Sequence, residues 1–266
     1  MTIAEWLRES SQRISYSDAE LLLLHFAFPD KDRSYLIAHD DETLAPNLQL
    51  EASVQRRTEG CPIAYLLGYR DFYGRNFTVK EGVTLIPRPE TEDIIEFCLD
   101  ITEVAEQPLR ILDVGTGSGC IANTLALEIP NTTIDAVDIS PDALAVAKAN
   151  AEKLKAKVNF SESNLLQNYS QKPDVVVANL PYVDKNWDWL DQHALSYEPE
   201  QALYAEDAGL ELIFELIAQF CEKINQGYLI LEADPSQHKR IISVATARGL
   251  ELTRWRNFIL QFQVKS

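Results

Sequence analysis

A strand followed by a glycine-rich loop and a helix constrains this chain more than any other feature. Arg110–Val114 has the pattern of a buried strand, residues 115–119 read Gly-Thr-Gly-Ser-Gly, and Cys120–Glu128 has a helical pattern. The next apolar strand ends in Asp138. Glycines let the backbone turn sharply beside a ligand, and N–H groups at a helix start favour a carboxylate or phosphate. The pattern predicts a parallel α/β sheet with a ligand at its carboxyl edge, where Asp138 suits a ribose diol.

The spacing of the glycines argues against a dinucleotide or a nucleoside triphosphate as the ligand. It is Gly-x-Gly-x-Gly, which differs from the Gly-x-Gly-x-x-Gly of dinucleotide-binding enzymes. No Gly-Lys-Ser/Thr follows to indicate a nucleoside triphosphate loop.

A second apolar strand ends in a corner that is suited to a planar NH2 group. It runs from Val176 to Ala178 and continues as Asn179-Leu180-Pro181-Tyr182. An amide nitrogen is a poor nucleophile, so an enzyme that alkylates it must first fix its geometry, mainly by orientation. The Asn179 side-chain oxygen and the Leu180 carbonyl can accept its two hydrogens, and Tyr182 can stack on the plane. Taken alone, the corner is better explained as an ordinary strand-ending turn, with Tyr182 filling the core.

Length and composition fit an α/β enzyme with a small extra domain. The chain has 266 residues, 46% of them hydrophobic, and no apolar run long enough to span a bilayer. Its start lacks the pattern of a secretory signal. The four cysteines are widely scattered, which fits a reducing cytoplasm and predicts no zinc site or disulfide framework. The four histidines are spaced too irregularly for a metal cluster, so we expect no metal.

Charge is distributed unevenly along the chain. Residues 1–80 carry a net charge of −3, whereas −14 of the total −17 lies in residues 81–266. A protein that holds long nucleic acid normally presents a basic face to the phosphates. We therefore expect no direct nucleic-acid partner.

Periodicity divides the chain into three parts. Residues 1–69 predict a small helical domain, residues 70–87 a linking β-hairpin, and residues 88–266 a domain of alternating strands and helices. The third part predicts a doubly wound, mostly parallel sheet of seven strands. Within it, Ser140 is the expected N-cap of a helix that starts at Pro141, and Thr91 the expected cap of a helix from about Glu92.

Together, the glycine loop, Asp138 and the Asn-x-Pro-Tyr corner resemble the class I methyltransferases that use S-adenosyl-L-methionine. Further segments resemble one family of them, the protein-(glutamine-N5) methyltransferases that act on peptide-chain release factors. Those segments are Gly-Cys-Pro-Ile-Ala-Tyr-Leu-Leu-Gly at 60–68, Asp-Phe-Tyr-Gly at 71–74, Ile-Pro-Arg-Pro-Glu-Thr-Glu at 86–92, Glu-Pro at 198–199 and Ala-Gly-Leu at 208–210.

The resemblance implies an activity and a set of site residues. The enzyme would transfer a methyl group from S-adenosyl-L-methionine to the glutamine side-chain amide of a Gly-Gly-Gln motif, release S-adenosyl-L-homocysteine and so modulate translation termination. Residues 1–69 would recognise the substrate, and we expect a cytoplasmic monomer without membrane association. The implied donor-binding residues are Gly115, Thr116, Gly117, Ser118, Gly119, Asp138, Ile139, Asn164, Leu165 and Asn179. The implied catalytic and glutamine-binding residues are Asn179, Leu180, Pro181 and Tyr182, with Arg88 and Glu90 beside them.

The chain departs from the family pattern at a few positions. Leu180 stands where the family usually has the second residue of Asn-Pro-Pro-Tyr. Gln226-Gly227 replaces a usual Gly-Gly pair, and Glu232-Ala233-Asp234 replaces Glu-x-Gly. The carbonyl of residue 180, which is the expected acceptor, is unaffected by its side chain.

Two other functions remain open at this point. One is a nucleic-acid amino-methyltransferase that acts on adenine N6 or guanine N2. Enzymes of that class use a similar Asn-Pro-Pro-Tyr corner. The other is an inactive S-adenosylmethionine-binding scaffold. We also interpret the segment that contains Trp187 and Trp189 as a lid over the partner, or else as a loop that packs its own aromatic rings.

Overall fold

The protein, analysed as a computed structural model, is described over residues 1–187 and 192–265. These residues form two compact units. The first contains residues 1–69 and 192–197, and the second contains residues 70–187 and 198–265. Each unit buries its own apolar side chains.

The first unit is helical, as predicted. Ile3, Trp6, Leu22 and Val54 lie on the inner faces of its helices and are almost completely buried. A capping box at Thr2 fixes the start of the first helix. The helices of this unit are α1 (Ile3–Ser10), α2 (Tyr16–Ala27), α3 (Arg33–Ala38), α4 (Leu48–Thr58), α5 (Ile63–Leu67) and, later in the chain, α9 (Gln192–Leu195).

A two-stranded hairpin follows, formed by β1 (Tyr69–Phe72) and β2 (Arg75–Thr78). Tyr73 and Gly74 both have left-handed backbones, with φ of 48° and 69°. That geometry is a two-residue turn whose twist matches the flanking strands. Arg75 and Asn76 already belong to β2, so the turn consists of Tyr73 and Gly74 alone.

The second unit is built on a seven-stranded sheet, which confirms the predicted fold. The strand order is β5-β4-β3-β6-β7-β9-β8. The first five strands in that order are parallel, and β9 runs antiparallel to both of its neighbours. The strands are β3 (Arg110–Val114), β4 (Thr133–Asp138), β5 (Val158–Glu162), β6 (Val175–Ala178), β7 (Tyr228–Glu232), β8 (Leu250–Arg256) and β9 (Ile259–Val264).

Alternating strand residues supply two hydrophobic cores, one on each face of this sheet. Leu112, Val176 and Leu229 share one core with α12 and α13, whereas Val175 and Val177 share the other with α6 and α7. The helices of this unit are α6 (Glu92–Glu103), α7 (Cys120–Glu128), α8 (Pro141–Leu154), α10 (Glu200–Leu203), α11 (Glu206–Gly209), α12 (Glu211–Lys223) and α13 (His238–Ala247).

The two predicted helix caps have different outcomes. The Ser140 hydroxyl accepts from the Ala143 N–H at 3.2 Å, which confirms it as the N-cap of α8. Thr91 occupies the N-cap position of α6, which starts at Glu92 as predicted, but its side chain makes no capping hydrogen bond, so that part of the prediction is wrong. A 3-10 turn over Pro89–Thr91 already leads into α6, and the Thr91 hydroxyl accepts a hydrogen bond from Asn179 instead.

Within residues 1–187 and 192–265, no helix has both the length and the apolar character needed to cross a bilayer.

Candidate active site

The carboxyl ends of the parallel strands border a cavity of about 290 Å³. Loops that follow β3, β4, β5 and β6 all contribute to its wall, as expected at this edge of a doubly wound sheet. The predicted residues that line it are Arg88, Gly115, Thr116, Gly117, Ser118, Asp138, Ile139, Asn164, Leu165, Asn179, Leu180 and Pro181. Gly119, Glu90 and Tyr182 are not among the lining residues.

The glycine loop runs close against the neighbouring strand and the corner. Gly115 and Thr116 both donate their N–H groups to the Val137 carbonyl, at 2.9 and 3.0 Å. Gly115 is left-handed, with φ of 73°, and a Cβ there would lie 3.0 Å from the Leu180 side chain. Gly119 has a different role, because a Cβ there would meet Asn123 at 2.7 Å and crowd the packing of α7.

Asp138 connects the end of β4 to the glycine loop. Its carboxylate accepts from the Gly117 N–H and from the Ser140 N–H, both at 2.9 Å. Burial raises the pKa of Asp138. Beside it, Ile139 is 59% exposed and presents an apolar surface to the cavity. A carboxylate next to an exposed apolar side chain suits a ligand with a ribose and a flat ring.

Behind the loop lies a buried carboxyl group, Asp113. It accepts from the Thr116 hydroxyl at 2.7 Å and from the Ala122 N–H at 3.2 Å, and so connects the loop to α7. Burial raises the pKa of Asp113 to about 7, although these two hydrogen bonds oppose the shift. Sequence reasoning did not assign this residue a role.

The corner after β6 holds Asn179 in a defined orientation. The Asn179 Nδ2 donates to the Thr91 hydroxyl at 3.1 Å, so the side-chain oxygen remains available to a ligand. Leu180 is only 5% exposed and belongs to the hydrophobic core. The leucine that replaces the usual proline therefore fills space against the glycine loop.

Tyr182 is held by groups outside the cavity. Its hydroxyl donates to the Glu232 carboxylate at 3.1 Å, and its carbonyl accepts from Gln237 Nε2 at 2.7 Å. Gln237 also donates to the Ala208 carbonyl at 2.8 Å. A Cβ at Gly209 would lie 2.1 Å from the Tyr182 carbonyl oxygen, so only glycine allows this close approach.

Arg88 and Glu90 differ in their surroundings. Arg88 lines the cavity and forms an ion pair with the buried Glu198, which also accepts from the Ile86 N–H at 3.2 Å. Glu198 thus connects the segment before α6 to the segment before α10. Glu90 is exposed and lies outside the cavity wall.

Sequence reasoning missed several polar residues of this site, namely Thr91, Asp113, Glu198, Glu232 and Gln237. For Glu232 a signal was present, because it ends an apolar parallel strand in the same way as Asp138 does. The roles of Thr91 and Gln237 depend on contacts distant in sequence, which no local pattern reveals. Of the two tryptophans in the interpreted lid, Trp187 is described and partly buried, and Trp189 lies outside the described residues.

Solved structures support the fold. A methyltransferase from Pyrococcus furiosus matches with a TM-score of 0.54 and 16% identity, covering 81% of this chain and 98% of its own. The 16S rRNA N2 G1207 methyltransferase of Thermus thermophilus, solved with AdoMet and guanosine, matches with a TM-score of 0.52 and 12% identity. It covers 74% of this chain and 50% of its own. Similarity at this level establishes the methyltransferase fold alone.

Sequence relatives establish the family. A model described as the PrmC N-terminal domain matches residues 3–68, and the methyltransferase small domain matches residues 99–194. The release factor glutamine methyltransferase of Koribacter versatilis is 41% identical over 79% of this chain and 75% of its own. That of Escherichia coli is 38% identical over 87% of this chain and 86% of its own. The resemblance seen in the motifs is confirmed, and the chain belongs to the release factor glutamine methyltransferase family.

Proposed function

We propose that this protein transfers a methyl group from S-adenosylmethionine to a glutamine side-chain amide in the Gly-Gly-Gln motif of a peptide-chain release factor, and thereby modulates translation termination. The observation that carries the proposal is the position of Asn179. Its side chain lies at the wall of the cavity, and its NH2 group is already bound to Thr91. Its oxygen is the atom left to accept from a substrate.

The cavity residues fit the methyl donor. The close-packed glycine loop leaves room for the methionine part, Asp138 suits the ribose, and Ile139 with Asn164 and Leu165 suits the adenine. When bound, S-adenosylmethionine supplies an electrophilic methyl group on a sulfonium. No protein nucleophile is required for the transfer.

The corner orients the acceptor nitrogen. Asn179 Oδ1 and the Leu180 carbonyl accept the two hydrogens of the glutamine NH2, and Pro181 keeps residue 180 extended. Tyr182 packs beside the amide plane, while Glu232 binds its hydroxyl. The gain in rate comes from placement, because a fixed amide nitrogen avoids most of the entropic barrier to attack.

The three parts of the chain have separate tasks in this proposal. Residues 1–69 recognise the release factor, residues 70–87 form the linker, and residues 88–266 hold the donor. Arg88 and Glu90 contact the polypeptide around the glutamine. The protein acts as a cytoplasmic monomer, in the compartment where release factors act, and binds no nucleic acid directly.

Mass spectrometry of a methylated release factor tests the proposal. The protein is incubated with S-adenosylmethionine and a purified release factor, and the Gly-Gly-Gln peptide should gain one methyl group. Replacing Asn179 with alanine should lower the rate by about 100-fold or more, as does the loss of other preorganised hydrogen-bonding groups. Donor binding, measured by calorimetry, should persist. Intact donor binding by the wild type without any methylation would instead favour a scaffold.

A further inference from the structure

A chain of polar side chains extends from the corner into the protein interior. Asn179 Nδ2 donates to the Thr91 hydroxyl at 3.1 Å, and Thr91 lies beside the Glu232 carboxyl group. Tyr182 donates to the Oε1 atom of that carboxyl at 3.1 Å. Thr91 and Glu232 are 2% and 1% exposed, so water does not compete for these contacts.

The hydrogen-bonding capacity of each group determines which of these side chains donates and which accepts. A threonine hydroxyl has one hydrogen to donate, whereas an ionised carboxylate can only accept. The Glu232 Oε2 atom is buried and accepts no hydrogen bond from the residues that the structure describes, although the Thr91 hydroxyl lies close enough to lower the pKa of this carboxyl. Turning the Thr91 hydroxyl hydrogen toward Glu232 would give that oxygen the donor it lacks. Thr91 is then left as an acceptor for Asn179.

We propose that Glu232, acting through Thr91, is a positioning residue that determines which atom of the Asn179 amide faces the substrate. The inference rests on the proposed function, because it assumes that a glutamine NH2 group binds at this corner. With Thr91 as acceptor, Asn179 presents its oxygen. With Thr91 as donor to Asn179, the amide would turn and present its own NH2 to the substrate NH2. Two donors would then face each other, and the glutamine would be misplaced.

Protonation of Glu232 should therefore affect catalysis. Burial raises the pKa of Glu232 to about 7, with hydrogen bonds from Thr91 and Tyr182 opposing the shift. The nearby charged groups have opposite effects, since Glu90 raises this pKa and Arg88 lowers it. The thiol of Cys120 also lies within the influence of Glu232, and burial raises its pKa. Below about pH 7 the protonated carboxyl can donate to Thr91 and free Asn179 to turn.

Replacing Thr91 tests the connection directly. Thr91→Val keeps the shape of the side chain but removes the hydroxyl, and we expect kcat to fall by about tenfold or more. The affinity for S-adenosylmethionine, measured by calorimetry, should stay at the wild-type value. Thr91→Ser restores the hydroxyl and should recover most of the lost rate. Wild-type kcat in a folded Thr91→Val protein would overturn the inference.

The pH profile tests the role of Glu232 separately from its contribution to structure. Wild-type kcat should rise with pH through about 7. In Glu232→Gln the side-chain NH2 can donate to Thr91 at every pH, so kcat should be low and this step should be absent. The step should persist in Asp113→Asn, which removes a second buried carboxyl whose pKa burial raises to about 7. A Glu232→Gln protein with the wild-type profile would contradict the role assigned to Glu232.

These outcomes separate the inference from the function on which it rests. If the wild type methylates the Gly-Gly-Gln peptide and Asn179→Ala does not, the function stands whatever Thr91→Val does. If the wild type binds the donor but transfers no methyl group, the proposed function fails, and the inference fails with it.

Discussion

At the scale of single residues, Leu180 shows how the corner accommodates a departure from the family pattern. Its side chain is buried against the position where Gly115 would carry a Cβ, and its carbonyl is the proposed acceptor. The side chain and the carbonyl therefore have separate tasks. One packs the core, and the other contacts the substrate.

Replacing Leu180 with proline should leave methyl transfer at or above the wild-type rate. Proline keeps the carbonyl and restricts Asn179 to an extended backbone. In contrast, Leu180→Ala leaves a cavity in the core, and we expect it to cost about 2–5 kcal/mol of unfolding free energy. Urea unfolding and single-turnover rates measure both effects. A folded but inactive Leu180→Pro protein would show that the acceptor at residue 180 is assigned wrongly.

Asp113 should make stability depend on pH. Burial raises its pKa from 3.8 to about 7, so between these values the native protein binds a proton that the unfolded chain has released. Raising the pH from about 4 to 7 therefore lowers the free energy of unfolding, and the contribution is constant above that range. Asp113→Asn should reduce this slope without abolishing it, because Glu232 contributes in the same direction. Urea midpoints across this pH range provide the measurement, and an unchanged slope would contradict the assignment.

At the scale of elements, α11 is a left-handed turn over residues 207–209 instead of a regular helix, and it fixes the corner through its backbone. Asp207, Ala208 and Gly209 are consecutive left-handed residues, with φ of 52°, 56° and 81°. This conformation is costly for residues with a Cβ. It brings the Ala208 carbonyl and the Tyr182 carbonyl to the same Gln237 amide, at 2.8 and 2.7 Å.

Replacing Gly209 with alanine should disrupt this arrangement. The added Cβ would approach the Tyr182 carbonyl oxygen to 2.1 Å and push the corner away. Gly249→Ala is the matched control, because Gly249 has φ of 88° but nothing within 4 Å of the added Cβ. Both variants should lose stability through backbone strain, but only Gly209→Ala should also lose methyl transfer. Equal loss of kcat in the two proteins would argue against a role for this turn.

The elements also show what sequence can and cannot predict. Arg110–Val114 and Cys120–Glu128 were predicted with the observed bounds, because each combines a strong apolar pattern with a clear glycine boundary. The short helices α10 and α11 have four residues each, which is too few for a periodic pattern to appear. Thr91 was correctly placed at the N-cap of α6, but local rules could not show that its hydroxyl binds Asn179, which lies 88 residues away. The residues on the donor side of the candidate site could thus largely be predicted from the sequence, whereas the polar groups behind the corner could not.

At the scale of the whole molecule, the donor side and the acceptor side of the candidate site differ in how far apart in sequence their contacting residues are. On the donor side, the contact between Gly117 and Asp138 spans 21 residues. On the acceptor side, Asn179 and Thr91 are 88 residues apart, and Tyr182 and Glu232 are 50 apart. Contacts between distant residues require larger loops to close, so they form with a greater loss of chain entropy.

Because of this difference, the donor side of the site should form before the acceptor side when the protein folds. Structures rich in local contacts fold faster than those that depend on distant ones. During refolding from urea, binding of S-adenosylmethionine should return before methyl transfer does, and the delay should be visible when both are followed after dilution. Simultaneous recovery would indicate a single cooperative step. If the delay is observed, the chain passes through a stage at which it can hold its donor before it can recognise a glutamine.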